Sequence, residues 1–321
     1  MKRAVVFGSG GQDGRILVAR LAADHTVVGV DLDGVTVHGE TIGDLPKRAA
    51  LGDAAQIDSL LAAAAPDQLY YLAAHHHSAE ERPDDGAELR ACLDVNVTGL
   101  LNVLESVKRR APKCRVFYAG SSHMFGRPSS PTQDESTPFS PKNPYAITKV
   151  AGAHTCALYR ERAGMHVSVG ILYNHESPSR GPQFVTQRIV RAARAAAKDR
   201  AHTFTIGSLS ATVDWGYAPD YVDAMIRMLA QDTPDDYVVA TGVPHTVQDF
   251  VAAAFAHVGL AWRPHVVEDP TVVKGERTTL VGDSTKLRRA TGWKPTVSFE
   301  EMVGILVAAN PPPAAQKKEE K

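Results

Sequence analysis

AVVFGSGGQDG, residues 4–14, is the stretch that decides the fold. The four apolar residues AVVF (4–7) read as a buried strand, and Gly8, Gly11 and Gly14 follow it in a G-x-x-G-x-x-G spacing. Glycines so placed permit a tight turn, a close approach of backbone to a pyrophosphate, and close packing of helix on strand. A glycine triplet alone is a weak signal. One that leaves a first strand and opens a helix is a stronger one. Here the helix is RILVARLAA (15–23), and TVVGVD (26–31) is the next strand.

Outward from that turn, short apolar runs alternate with helical patterns. A helix over AQIDSLLAAAA (55–65) precedes a strand QLYYLAA (68–74), and a helix over 94–110 precedes a strand RVFYAG (115–120). A helix over 144–163 then leads to the strand VSVGILY (167–173). Strands alternating with helices form parallel βαβ units, so the expected class is α/β, a Rossmann doubly wound parallel sheet with a smaller C-terminal substrate-binding region. After about residue 174, Pro and Gly punctuate the pattern at SPSRGP (177–182) and VPHT (243–246). The expected organisation is a cofactor-binding domain over 1–173, with segments such as 214–243 returning to it. A substrate region over 174–213 and 244–312 and a mobile tail over 313–321 complete it.

The 321 residues carry a net charge of −1, so no bulk field favours nucleic acid or an anionic membrane, and any anionic ligand needs a local site. Cys92, Cys114 and Cys156 are scattered and odd in number, which argues against a disulfide framework and fits a reducing cytoplasm. No apolar run is long enough to span a bilayer, and the N-terminus enters a strand directly rather than a signal sequence.

Asp31 ends the second strand at the distance from the glycine turn where a carboxylate bonds an adenosine ribose diol and repels a 2′-phosphate, which favours NAD over NADP. The alternative is a turn-forming Asp before Leu32-Asp33-Gly34. Asp53 lies near the adenine or caps a helix. Tyr145 and Lys149 in NPYAITK form a Y-x-x-x-K pair, one helical turn apart and so on one face. An ammonium beside a phenol lowers its pKa, and the phenolate takes a proton from a sugar hydroxyl while hydride leaves the same carbon. Ser121 is placed to hydrogen-bond the reacting oxygen; otherwise it is a turn serine.

Several segments carry a resemblance: GQDG (11–14), LAA (72–74), NVTGLLNVLE (96–105), GSSHMFG (120–126), TPFSPKNPYAITK (137–149), YNHESPSRGPQFVTQRI (173–189) and DWGYAPDYVDAM (214–225). They extend over almost the whole chain, which resembles extended short-chain dehydrogenases/reductases of the NDP-sugar epimerase/dehydratase family, and most of all the GDP-mannose 4,6-dehydratases. The resemblance implies a cytoplasmic homodimer, NAD(P), and a nucleoside-diphosphate hexose substrate, GDP-linked by preference. It also implies a cycle of C4 oxidation, loss of water from C5–C6, and return of hydride to C6. By position, Gly8, Gly11, Gln12, Asp13, Gly14, Asp31, Asp53, Leu72, Ala73, Ala74, Asn96, Tyr145, Lys149 and Tyr173 would hold the cofactor. His76, Ser122, Asn174, Arg180, Phe184, Val185 and Arg188 would face the substrate. Ser121, Tyr145 and Lys149 would carry the C4 chemistry.

The chain also departs from that pattern. His123 stands where the dehydratases carry the glutamate that removes the C5 proton, and LAA-Gln-Ser-His becomes LAA-His75-His76-His77. DLDGVTVHGE (31–40) replaces an arginine-rich loop, which again favours NAD. Val273 and Lys274 replace an arginine-proline pair that would hold diphosphate, with Lys274 and Arg277 close enough to compensate. An imidazole, largely neutral at pH 7, can accept the C5 proton and return it to the leaving hydroxyl. His123 is therefore a candidate acid–base, or only a hydrogen-bonding residue. The readings that follow are a 4,6-dehydratase, a 4-epimerase or 4-ketoreductase that omits elimination, and a non-catalytic NAD-binding protein. The run His75–His77 lacks the spacing of a metal site, so no metal is expected.

Overall fold

The structure, a computed structural model, describes residues 1–76, 85–269, 271 and 279–309. In chain order the elements are β1 (Lys2–Phe7), α1 (Gln12–Leu21), β2 (His25–Asp31), β3 (Gly34–His38), α2 (Ala54–Ala64), β4 (Gln68–Tyr71) and α3 (Asp85–Leu93). A π-helical turn at Asp94–Gly99 joins α3 to α4 (Leu100–Arg110). There follow β5 (Arg115–Ala119), α5 (Pro144–Ala163), β6 (Val167–Leu172), β7 (Asn174–Glu176), α6 (Val185–Lys198), β8 (Phe204–Ile206), β9 (Thr212–Tyr217) and α7 (Ala218–Ala230). The chain continues through β10 (Asp236–Val239), β11 (Pro244–Thr246), α8 (Val247–Ala256), β12 (Val266–Glu268), α9 (Thr285–Thr291) and α10 (Phe299–Ala308).

Seven strands form the central sheet in the order β10-β6-β5-β4-β1-β2-β3, all parallel except β3, which pairs antiparallel with β2. The inner strands are covered on both faces, which is why β1, β2 and β6 are continuous apolar runs rather than alternating ones. One face packs α1 and α7 through Leu17, Val18, Tyr221 and Met225; the other packs α2, α4 and α5 through Ile57, Leu60, Val103 and Cys156. Each fully buried side chain of this kind contributes about 1.5–3 kcal/mol. The chain leaves β1 toward β2 on one side, while β4 lies on the other. The crevice of a doubly wound sheet therefore opens above the carboxyl end of β1.

The strand expected at 68–74 ends at Tyr71, and LAA is a loop, because its backbone turns out of the sheet to meet Gly8. The sequence DLDGVTVHGE is a hairpin: a two-residue turn, Leu32–Asp33, and β3 in register Asp31↔Gly34, with Gly34 at φ +132°. The late segment 236–239 joins the central sheet beside β6. The strands β7, β9 and β11 form a separate small sheet, and α6, α8 and α10 enclose a third apolar cluster around Trp215, Phe250 and Met302. Buried Asp214 of β9 clamps the two parts, accepting from Thr241 (N and Oγ1) and from the N–H groups of Gly242 and Gly282.

Candidate active site

The glycine turn is built as its spacing predicts. Gly8 sits at φ +85° and donates to Val30, and Gly11 donates back to Gly8. A Cβ on Gly14 would lie 2.1 Å from the Gly8 carbonyl oxygen, so only glycine lets α1 start this close to β1. The Asp31 carboxylate accepts from Gly10 (2.7 Å) and Leu32 (2.8 Å), which holds it at the mouth of the turn. Gln12 and Asp13 reach across to β7. Gln12 bonds the His175 carbonyl and Ser177, and Asp13 lies 2.8 Å from His175 Nε2. The other His175 nitrogen faces the Tyr173 carbonyl at 2.6 Å, so both ring nitrogens meet acceptors. Burial opposes the charged imidazole, but Asp13 outweighs it and raises the pKa of His175.

Tyr145 and Lys149 come from the first turns of α5, whose start is fixed by Asn143 capping Ala146 N–H (2.8 Å) and by Pro144 at the first helical position. Lys149 is 1% exposed, donates to Ala119 O at 2.8 Å, and lies 5.7 Å from the Tyr145 ring centre. Burial pulls the ammonium down to about 7 and pushes the Tyr145 phenol up to about 12; a hydrogen bond from Ser121 and the charge of Arg180 work against the latter. Ser121 ends the extended segment after β5. Its hydroxyl accepts from His123 N–H (3.2 Å), which curls residues 122–125 into one 3₁₀ turn. Ser122, Met124 and Phe125 are buried by that turn, and His123 alone projects into the cleft. Water reaches its ring, yet protein surrounds it, and burial together with Arg180 lowers its pKa.

Two cavities meet at these residues. One, of about 800 Å³, runs from Gly10–Asp13 past Leu72, Ala74, Ser121, Tyr145 and Lys149 to Arg180. The other, of about 410 Å³, is walled by Ser122, Val185, Thr212, Val213 and the segment 206–208. His76, His123, Tyr173, Asn174, Arg180 and Phe184 line both. Arg180 stacks its guanidinium 3.7 Å over the Phe184 ring, and its buried Nε has no hydrogen-bond partner among the described residues. A dinucleotide fits the larger cavity. The glycine turn would hold a pyrophosphate, Asp31, at the mouth of that turn though outside the cavity lining, would meet a ribose diol, and the buried Lys149 ammonium has donors to spare beyond Ala119.

Other expected residues are placed differently. Asp53 caps α2 through Ala55, Gln56 N and Gln56 Nε2 and does not line the cavity. Asn96 lies beneath the site, fully buried, bonding His75 N–H and Thr148. Ala73 packs against Gly8. Arg188 lies on α6 with its guanidinium over Phe204, outside both linings. Lys274, Arg277, His77 and the tail fall outside the described residues. Among the described residues no three His, Cys, Asp or Glu side chains converge on a metal position, and no helix is long and apolar enough to cross a membrane. Sequence reasoning did not single out Arg127, Lys142 or Gln183, which also line the cavities, and it read Glu176, another lining residue, as structural. Basic residues directly flanking GSSHMFG and NPYAITK were the available signal for the first two.

Residues 5–306 match the family model described as GDP-mannose 4,6 dehydratase. The chain belongs to that family. It is 43% identical over 219 residues to GDP-mannose 4,6 dehydratase 1 of Arabidopsis thaliana, covering 67% of this chain and 60% of that protein. It is 36% identical over 240 residues to the GDP-mannose 4,6 dehydratase of Homo sapiens, covering 68% of this chain and 64% of that one. The chain thus spans less than two thirds of the length of these curated relatives. Among solved structures, RMD from Pseudomonas aeruginosa complexed with NADPH superposes with a TM-score of 0.81, covering 96% of this chain and 98% of that one at 23% identity, a likeness of fold. His76 and His123, the departures from the pattern that the resemblance implies, lie at the meeting point of the cavities.

Proposed function

We propose that the chain is an NAD-dependent 4,6-dehydratase of a nucleoside-diphosphate hexose, GDP-linked and of the GDP-mannose type. The observation that supports this reading is that His123 lines both cavities, with Ser121, Tyr145 and Lys149 beside it in the larger one. The bound nicotinamide would accept the C4 hydride and return it to C6. Ser121 hydrogen-bonds O4 and Tyr145 takes its proton. Lys149 supplies the positive charge that favours phenolate. His123, kept neutral by burial and by Arg180, takes the C5 proton at a ring nitrogen and returns it to the leaving C6 hydroxyl. Arg180, whose Nε lies 3.7 Å from the Glu176 carboxylate without a hydrogen bond, would face the diphosphate. Residues 1–173 with 214–243 form the cofactor half, and 174–213 with 244–312 the substrate half.

The test is proton NMR of protein, GDP-mannose and NAD in deuterated water. A 4-keto-6-deoxy product carrying deuterium at C5 supports dehydration. A C4 epimer without deuterium replaces it with epimerisation, the reading that His123 in place of glutamate favours. Binding of NAD with no turnover of any nucleotide sugar points to a non-catalytic protein.

NAD is preferred because the Asp31 carboxylate repels a 2′-phosphate. Asp31→Asn removes the charge and keeps one acceptor for the turn. It is expected to tighten NADP binding roughly tenfold to a hundredfold relative to NAD, measured by calorimetry. Unchanged selectivity would place the discriminating group elsewhere. We also propose a cytoplasmic homodimer through α4 and α5. Leu101 (42%), Ile147 (45%) and Leu158 (43%) are large apolar side chains left in water, and Ile147 and Leu158 lie eleven residues apart on one face. Leu101→Glu with Leu158→Glu is expected to halve the mass seen by light scattering. A wild-type monomer would contradict the proposal.

A further inference from the structure

Two histidines face the junction of the cavities, and the structure shows how one of them is aimed. His75 is clamped at three points: its N–H by Asn96, its carbonyl by Cys92 Sγ (3.6 Å), and its Nε2 by Glu88 (3.0 Å). Successive side chains of an extended segment point in opposite directions. With His75 held toward α3, His76 is directed into the cleft. Its ring lies 4.4 Å from Tyr145, edge to face at 89°, and 6.3 Å from His123. Tyr145 and His123 are 6.1 Å apart, and Ser121, which touches the phenol, meets His123 only at its backbone N–H.

Resting on the dehydratase reading, we propose that His76 is a proton relay from Tyr145 to His123. Proton bookkeeping gives such a relay its task. The hydride lost from C4 reappears at C6. The C5 proton and the C6 hydroxyl depart together as water, by way of His123, which is neutral again afterwards. C4 remains a ketone, so the proton that Tyr145 took from O4 has no way back to oxygen. C5, which ends the reaction bearing a hydrogen, needs one new proton. Each turnover therefore strands a proton on Tyr145 and demands one at C5, where His123 acts. An imidazole passes a proton by accepting at one ring nitrogen and releasing from the other. His76 packs against the ring of the donor, and single waters can bridge from the phenol to its ring and from its ring to the acceptor. Epimerisation strands no proton, since O4 recovers its own.

The test compares wild type with His76→Gln in deuterated water, with folding checked by circular dichroism. In a single turnover with enzyme in excess, loss of the C5 hydrogen to solvent is expected within about twofold of wild type. Formation of final product is expected to fall at least tenfold, and added free imidazole to restore it. In the protein without cofactor, Tyr145→Phe is expected to shift the NMR titration midpoint of His76 and leave exposed His38 unmoved. A variant with raised KM and unchanged kcat, or a slow variant that imidazole does not rescue, overturns the relay and leaves dehydration standing. Wild type that forms no 4-keto-6-deoxy product overturns both.

Discussion

Tyr145→Phe is expected to lower kcat by about 10²–10⁴-fold while leaving folding and dinucleotide binding near wild type. Among the described residues the phenol's hydrogen-bond partner is Ser121, whose hydroxyl also accepts from His123 N–H and so keeps a partner when the phenol is removed. The chemical loss is large because the nearest basic groups are placed for other contacts: Lys149 donates to Ala119 O, and His76 packs against the ring. Burial holds the phenol at about 12, so the phenolate depends on positive charge nearby. Lys149 has been pulled to about 7, so it is an ammonium below that pH and an amine above it. Its help to the phenolate therefore fades as pH rises through about 7, while intrinsic ionisation of the phenol grows. The measurement is the rise of reduced-nicotinamide absorbance on mixing with substrate. A Phe variant that keeps a tenth or more of the wild-type rate would remove Tyr145 from the C4 chemistry.

His123→Ala is expected to separate the two halves of the reaction. C4 oxidation, which uses Ser121, Tyr145 and Lys149, should persist. Exchange of the C5 hydrogen with deuterated solvent and release of 4-keto-6-deoxy product should fall by about 10²–10⁴-fold. His123→Glu should retain elimination, because a carboxylate accepts the same proton. The pH profile distinguishes the two bases. A base must be unprotonated, so activity falls as pH drops through its pKa. For His123, burial and Arg180 set that limb below the ordinary histidine value of 6.5. In the Glu variant the limb should move further down, toward the carboxylate range. Undiminished C5 exchange in the Ala variant would show that another group is the base.

Much of the site was legible because it is local. Gly8, Gly11 and Gly14 follow a strand, Tyr145 and Lys149 share a helix face, and Ser121 and His123 share one 3₁₀ turn, so residues a few positions apart already meet. Asp53 was ambiguous for the same reason, since a helix cap and an adenine ligand carry the same signature, and its carboxylate caps α2. The β2–β3 hairpin was missed as a strand because five residues with two valines make a weak alternation, and only pairing with β2 stabilises it. Arg188 was misplaced because its position on α6 says nothing about which side of the cleft that helix covers.

Period and short spacing already carried the strand–helix alternation, the glycine turn and the Tyr145–Lys149 pair, whereas the departure at residue 123 was read from the family resemblance. Only the tertiary structure decided that His76, from the loop after β4, and His123, from the loop after β5, face the same Tyr145. It also decided that Asp13 and His175, 162 residues apart, pair across the cleft. The physical reason is parallel topology. Neighbouring strands are separated by whole helices in sequence, yet they deliver their carboxyl ends side by side, so the groups that exchange protons are set by strand order, which no local spacing encodes.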